Sequence, residues 1–218
     1  MAAGNHQFVR EIILLTELAV RVLCDSHPST PADGAYLFAQ TVDNQESVLA
    51  VGRDLIDQGR VQDLLISAAG AISGYPGGDK WLQALKRLRV PSQRLKAIKP
   101  HTAEILHTRV EAEALVRYAR TRGYKSIIVV SAPFHQLRTF MTTVSVALEE
   151  VPELSIYSQV GAMLPWNVTV THSQGSLALP RSGLIQTELE RIERYQQKGD
   201  LAPTEAILAY LQQRDERP

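Results

Sequence analysis

The chain has 218 residues, one cysteine, and 23 basic and 23 acidic side chains. A chain of this length can fold as one domain and bury roughly 70% of the surface that its unfolded form exposes, so folding requires no metal or disulfide. Cys24 cannot form an internal disulfide, which favours a reducing compartment, and we expect a cytoplasmic location. The balanced charge lacks the broad basic field of non-specific nucleic-acid binders, so nucleic acid is not an expected partner.

The amino-terminal segment 1–30 is typical of an amphipathic helix followed by a proline-bearing connector. Met1 to Gln7 lacks the basic stretch of a secretory signal, and polar residues interrupt the apolar run from Ile12 to Leu23. No other segment approaches the ~20 uninterrupted apolar residues of a membrane span. We therefore expect no membrane partner.

Predicted helices and strands alternate along the rest of the chain. Helical spacing of apolar residues predicts helices at Phe8–Leu23, Glu46–Gly59, Asp79–Leu88, Thr102–Arg122, His135–Leu148, Ser182–Gln197 and Pro203–Gln213. Short runs of apolar and β-branched residues predict strands at Ala35–Ala39, Leu64–Ile66, Arg94–Ile98, Ser126–Val130 and Leu154–Ser158. Residues 161–180 show little periodicity and are predicted to be a loop, either a lid over the site or a plain surface loop.

This alternation is typical of a doubly wound α/β fold, in which right-handed crossovers join the strands of an open, mostly parallel sheet with helices on both faces. We predict a single domain over 1–218. It comprises the amino-terminal helix and connector, a core at 33–160, and a carboxyl-terminal loop and helices at 161–218. In such a sheet, ligands bind beyond the carboxyl ends of the strands. Three loops after predicted strands therefore contain the candidate site residues.

The first loop, Ser67 to Gly78, is rich in glycine and other small residues. Free backbone N–H groups in such a loop could approach a phosphate or carboxylate closely, which makes Ser67, Ala68 and Gly70 candidate ligand-binding residues. The loop has neither the glycine spacing of a dinucleotide site nor the lysine of a P-loop. A flexible surface loop is the alternative interpretation.

The second group, His101, Thr102 and Glu104, opens the predicted helix at 102–122. These residues could form the rim of the site, with Glu104 as a hydrogen-bond acceptor or catalytic base. Alternatively, Thr102 caps the helix and Glu104 is favoured there by the positive end of the helix dipole.

The third group follows the clearest predicted strand and is the most specific. Ser131 lies at the strand end, and His135 and Arg138 lie one helical turn apart, so both could face the same ligand. Histidine can transfer a proton near neutral pH, and the arginine guanidinium matches phosphate or carboxylate. The alternative is that His135 caps the helix and Arg138 pairs with a surface acid.

Two other chemistries lack support in the sequence. No metal site is expected, because the histidines form no tight ligand motif and a single cysteine cannot form a thiolate cage. Serine-nucleophile chemistry is not indicated either, since there is no Gly-x-Ser-x-Gly elbow.

Three segments resemble the YdcF-like family (YdcF/SanA/ElyC), a domain of unknown function. Ser67-Ala68-Ala69-Gly70 resembles its Ser-Gly-Gly loop, and His101-Thr102-Ala103-Glu104-Ile105 resembles its Asn-Thr-x-Glu-Asn segment. Val129 to Arg138 resembles its Val-Thr-Ser-x-x-His-x-x-Arg segment and is the most specific match. The resemblance extends from about Asp33 to Ser158.

The resemblance implies a Rossmann-like fold. Because one family member is reported to bind S-adenosylmethionine, it also implies this compound as a candidate cofactor. Other members carry a membrane anchor, which we do not expect here. The chain departs from the family pattern at Ala68, Ala69, His101 and Ile105, so its ligand can differ from that of better-matching relatives.

We therefore expect a transferase or hydrolase that acts on a nucleotide-like or phosphorylated small molecule. His135 and Glu104 are its expected catalytic residues, and Arg138 and the loop N–H groups are expected to hold the anion. A binding module or sensor that leaves its ligand unchanged is the main alternative. A protein-binding scaffold is the third, favoured if the long helices expose apolar stripes.

Overall fold

The computed structural model describes residues 2–102, 104, 106–172 and 177–217. A single 3₁₀ turn, Ser92–Arg94, precedes the third strand. The helices and strands follow in the order α1 (Ala2–Leu23), β1 (Ala32–Leu37), α2 (Gln45–Asp57), β2 (Val61–Ser67), α3 (Gly78–Arg87), β3 (Leu95–Ile98), α4 (Thr108–Arg122), β4 (Ser126–Ser131), α5 (Gln136–Glu150), β5 (Ser155–Val160), β6 (Thr169–His172), β7 (Leu177–Pro180), α6 (Arg181–Gln197) and α7 (Thr204–Asp215).

In the described part of the chain, β1 to β5 form one parallel sheet in the order β3-β2-β1-β4-β5. The strand order therefore reverses between β1 and β4, which pair directly through Gly34–Leu37 and Ile127–Val130. The predicted open, doubly wound α/β fold is confirmed.

The strands are rich in apolar residues because helices cover both faces of the sheet. Successive side chains of a strand point to opposite faces. In β1, Tyr36 packs into the core on the side of α1, α4, α5 and α7, whereas Ala35 and Leu37 pack on the side of α2 and α3. Ile127 and Ile128 of β4 divide between the same two cores.

Helix α1 is amphipathic, as predicted. Leu18 and Val22 are fully buried, whereas Val9, Ile13 and Val20 are exposed on its other side. None of the helices in the described ranges has both the length and the apolar character needed to cross a membrane.

Helix α4 begins later than the sequence predicts. The structure starts it at Thr108, and Thr102 lies outside the helix. The N-cap is His107, whose Nδ1 accepts a hydrogen bond from the N–H of Val110 at 3.4 Å. The helix ends as predicted at Gly123, which adopts a left-handed conformation with φ of 69°.

The prediction of a loop throughout 161–180 is wrong, because β6 and β7 form an antiparallel pair there. Each strand has four residues, too few for an alternating pattern to stand out. The pair is fixed beside the end of β1. Thr41 donates to the carbonyl of Thr171 at 2.9 Å, and the N–H of Thr171 donates to Asp43 at 2.8 Å.

Candidate functional site

A cavity of about 270 Å³ lies beyond the carboxyl ends of the central strands. It occurs where the strand order reverses, because the connections after β1 and β4 lead to opposite faces of the sheet and leave a crevice between them. Its described lining residues are Ala39, Gln40, Thr41, Ile72, Ser73, Tyr75, Leu106, His107, Thr108, Glu111, His135, Arg138, His172, Arg191, Arg194 and Tyr195.

His135, the N-cap residue of α5, is buried against this cavity. Its Nδ1 lies 3.0 Å from the Ser131 hydroxyl, and its Nε2 lies 2.8 Å from Arg138 Nη2 and 3.2 Å from the Thr108 hydroxyl. A guanidinium can only donate, so Nε2 accepts and the neutral ring carries its proton on Nδ1. Burial, and then the positive charge of Arg138, lower the pKa of His135 well below its ordinary value. The ring is therefore neutral at pH 7.

The Ser131 side chain orients His135 from the end of β4. Ser131 is completely buried, and Gln40 Nε2 donates to its hydroxyl oxygen at 3.1 Å. The same amide group donates to the carbonyl of Phe38 at 3.2 Å, and the N–H of Ser131 donates to Gln136 Oε1 at 2.6 Å. These bonds hold the ends of β1 and β4 together and fix the position of the imidazole.

Arg138 belongs to a buried charge cluster centred on Glu188. Arg138 Nε donates to Glu188 Oε2 at 2.5 Å, and its Nη1 donates to the Thr108 hydroxyl at 2.9 Å. Glu188 Oε1 accepts from Arg191 at 2.5 Å and lies 2.9 Å from His172 Nε2. Burial alone would raise the pKa of Glu188, but the charge of Arg138 and the hydrogen bonds hold it well below its usual range. Arg138 does pair with an acid, and that acid is buried rather than on the surface.

Glu111 is a site residue that sequence reasoning missed. It lies on α4, is 4% exposed and lines the cavity. Its Oε1 accepts hydrogen bonds from the N–H of Ala39 at 2.9 Å and from the Tyr36 hydroxyl at 3.1 Å, whereas no described residue donates to Oε2. Burial raises the pKa of Glu111 to about 7, although both hydrogen bonds and the charge of Arg138 act against it. The carboxyl can therefore gain or lose a proton near neutral pH.

His107 brings a second neutral imidazole to the cavity. Its Nδ1 is used in capping α4, so the neutral ring carries its proton on Nε2. Burial lowers the pKa of His107 below the ordinary value of a histidine. Its Nε2–H is therefore a hydrogen-bond donor available to a ligand.

Cationic side chains predominate around the cavity. Arg138, Arg191 and Arg194 line it, and Glu111 is the one carboxylate among its described lining residues. Arg194 is exposed in the last turn of α6, where its guanidinium carbon lies 5.1 Å from the centre of the Tyr195 ring. It forms no ion pair with any described residue, so the cavity has positive charge that is not neutralised from within.

The first predicted loop reaches the cavity with different residues from those expected. Ser67 is buried, and its hydroxyl accepts the N–H of Ala69 at 3.2 Å. The N–H of Ala68 donates to the carbonyl of Ile98 at 2.8 Å, so these two N–H groups are not free, contrary to the prediction. Ser67, Ala68 and Gly70 do not line the cavity. The loop residues that line it are Ile72, Ser73 and Tyr75.

The second predicted group lies apart from the cavity lining. His101 Nε2 is 3.4 Å from Glu113 Oε2, and Thr102 accepts the N–H of Glu104 at 3.3 Å. Glu104 is exposed. The neighbouring residues Ala103 and Ile105 lie outside the described residues. The carboxyl that α4 brings to the cavity is that of Glu111.

Within the described ranges, His, Cys, Asp and Glu do not group in threes that could hold a metal ion. No protein-family model matches this chain, and a comparison with curated proteins found no significant match. The resemblance to the YdcF-like family therefore stays a prediction.

Proposed function

We propose that this chain binds a nucleotide-like or phosphorylated small molecule in the cavity beyond β1 and β4. The observation that carries the proposal is the cluster of cationic lining residues, Arg138, Arg191 and Arg194. Guanidinium groups match the geometry of phosphate oxygens and bind them with strong, charge-assisted hydrogen bonds. Arg138 and Arg191 share Glu188, so Arg194 is the cation most available to a ligand.

In the enzymatic form of this proposal, the chain is a transferase or hydrolase that acts next to the anionic group. His135 enters the reaction neutral, so it accepts a proton before it donates one. Glu111, with a pKa of about 7, is the second proton-transfer group. It takes the role that sequence reasoning gave to Glu104.

A non-catalytic binding module or sensor is the second candidate, and one observation favours it. Both ring nitrogens of His135 already have partners within the protein, namely Ser131, Arg138 and Thr108. A substrate has to displace one of them before the imidazole can act as a base, whereas ligand binding alone requires no such exchange.

We also propose membership of the YdcF-like family, with S-adenosylmethionine as a candidate ligand, and a cytoplasmic location. The Ser131 to Arg138 segment supports the first proposal, since its matched residues lie at the cavity or orient a residue that lines it.

The free, exposed thiol of Cys24 is compatible with a reducing compartment. Fractionation of cells that express the tagged chain tests the location, and recovery outside the cytoplasm would contradict it.

A thermal-shift screen tests ligand binding. The compounds are simple phosphates, nucleotides, sugar nucleotides and adenosyl compounds, because a ligand at 100 times its dissociation constant adds about 2.7 kcal/mol of stability. The proteins are wild type, Arg194→Gln and the matched control Arg122→Gln. Both arginines are exposed in the last turn of a helix and lie near a tyrosine ring, but Arg122 is not a cavity residue.

One phosphorylated class should stabilise wild type and Arg122→Gln, and stabilise Arg194→Gln less. No shift in any protein, or equal shifts in all three, would contradict an anion site at this cavity. With the ligand class known, chromatography of reaction mixtures separates the two candidates. Product formed by wild type and lost in His135→Asn supports an enzyme, and an unchanged ligand supports a binding module.

A further inference from the structure

The carboxyl group of Glu111 is held in one orientation, with one oxygen used by the protein. The N–H of Ala39 and the hydroxyl of Tyr36 both donate to Oε1. Tyr36 is 1% exposed and Ala39 lies two residues after the end of β1, so both donors are fixed by the fold. Oε2 accepts no hydrogen bond from a described residue, although Glu111 lines the cavity.

Thr139 Oγ1 is the one buried polar side-chain atom without a hydrogen-bond partner among the described residues, so Glu111 Oε2 is open to the cavity. A ligand that fills the cavity covers Oε2, and the oxygen then needs a donor from the ligand, because an unpaired buried polar group is costly. A purely anionic ligand would bring negative charge towards a carboxylate in the same cavity. A ligand that also carries a hydrogen-bond donor would satisfy Oε2 and offset the repulsion.

The acidic and the basic groups of the cavity wall come from different helices. Glu111 reaches the cavity from α4, whereas Arg191 and Arg194 reach it from α6. The cavity volume of about 270 Å³ lies just below the usual range for ligand pockets, which is about 300–1,000 Å³. The part of the ligand that fills it is therefore compact.

We propose that the ligand is bifunctional, with a phosphate-like group bound by Arg191 and Arg194 and an ammonium or hydroxyl group that donates to Glu111 Oε2. Small phosphorylated amines and amino alcohols have this chemistry. The inference rests on the proposed function, because it requires that an anion binds at this cavity, and it adds the nature of the group at the other end.

Two other roles for Glu111 predict different binding. A purely structural Glu111 would only hold Ala39 and Tyr36, and the ligand would gain nothing from an amine. A protonated Glu111 would instead donate from Oε2 to a phosphate oxygen, and an amine would then bring no advantage either.

The test compares two probes that differ by one amino group, ethyl phosphate and O-phosphoethanolamine. Dissociation constants are measured at pH 8, where a carboxyl with a pKa of about 7 is mostly ionised. The proteins are wild type, Glu111→Gln and the control Glu113→Gln. Glu113 lies on the same helix, pairs with Arg109 and is not a lining residue. Glutamine at position 111 keeps an oxygen for Ala39 and Tyr36 and presents an N–H₂ group in place of Oε2.

Wild type and Glu113→Gln should bind O-phosphoethanolamine about tenfold more tightly than ethyl phosphate, the scale of a hydrogen bond between charged groups. Glu111→Gln should lose this preference and still bind ethyl phosphate. If wild type binds the two probes with equal affinity, the inference is overturned and no variant is needed to show it. A preference for O-phosphoethanolamine that survives in Glu111→Gln also overturns it. If ethyl phosphate binds and the amine adds nothing, the anion site stands and the inference alone fails. If neither probe binds, both fail.

Discussion

Arg138 and Glu188 form an ion pair inside the protein, with 2.5 Å between Nε and Oε2 and side chains that are 10% and 3% exposed. The pair joins the start of α5, which follows the central strand β4, to the middle of α6. Since α6 also carries Arg191 and Arg194, this contact fixes the cationic wall of the cavity relative to His135. Because Glu188 neutralises the charge of Arg138, Arg138 is not the arginine most available to an anionic ligand.

Removal of Glu188 should therefore destabilise the fold strongly. Glu188→Ala leaves Arg138 buried without its partner, and breaking a buried pair costs about 3–5 kcal/mol. Urea unfolding measures the loss. The control Glu190→Ala lies on the same helix but is exposed, and it should change stability by less than about 0.5 kcal/mol. Similar losses in the two variants would show that the cluster does not stabilise the protein.

Glu111 should make the stability of the protein depend on pH. Its pKa in the folded state is raised to about 7 from an ordinary 4.5, so the folded protein binds the proton more tightly than the unfolded chain. This contribution is fully present below pH 4.5 and is lost as the pH rises through 7. Wild type should therefore lose stability relative to Glu111→Gln between pH 5 and 8, by an amount on the order of 3 kcal/mol. Urea unfolding at each pH measures the free energy of unfolding of both proteins. If this free energy changes with pH in the same way in both, the raised pKa is contradicted.

His135 should remain neutral at pH values where an ordinary histidine becomes charged. Burial and the charge of Arg138 lower its pKa, and an unperturbed histidine titrates near 6.5. Nitrogen-15 spectra of the histidine rings, assigned with His135→Gln, should show a neutral ring protonated on Nδ1 from pH 8 down to 6. A ring that protonates near pH 6.5, or one with its proton on Nε2, would contradict the geometry at Arg138.

Gly161 supports the end of β4 by close contact. Its N–H donates to the carbonyl of Ser131 at 2.8 Å, and an added Cβ would lie 2.7 Å from that oxygen and 2.5 Å from Ser47 Oγ. Gly161→Ala should therefore destabilise the protein by about 1–3 kcal/mol, as overpacking does. Gly70→Ala is the control, since no described residue has an atom within 4 Å of its Cβ position. Thermal unfolding compares the two, and equal stability would show that the chain relaxes freely around Ser131.

The sequence predicted those parts of the fold and site that depend on local pattern. Strands covered on both faces are continuous apolar runs, and these appear directly in the sequence. His135 and Arg138 are one helical turn apart, which predicts that both can face one ligand, and both line the cavity. Their mutual contact at 2.8 Å was not predicted. Glu188 is 50 residues from Arg138, and no local signal connects them.

The sequence predicts that α4 starts six residues too early, at Thr102 instead of Thr108, and for that reason it indicates Glu104 and not Glu111 as the site carboxyl. Thr102 followed by Glu104 has the appearance of a capped helix start, but His107 provides the actual cap. Helix α4 then turns Glu111 towards the strand ends and leaves Glu104 exposed. Glu111 was recognisable only as an acidic residue among apolar ones on a helix. Its hydrogen bonds are to Tyr36 in β1 and to Ala39 just beyond β1, which are 75 and 72 residues away in the sequence.

An NMR titration of the amide resonances with ethyl phosphate tests whether an anionic small molecule binds in the cavity beyond β1 and β4. Saturable shifts should be concentrated at Gln40, Thr108, His135, Arg191 and Arg194, and they should be much weaker in Arg194→Gln. Shifts that cluster elsewhere on the protein, or no saturable shifts at all, would contradict binding in this cavity.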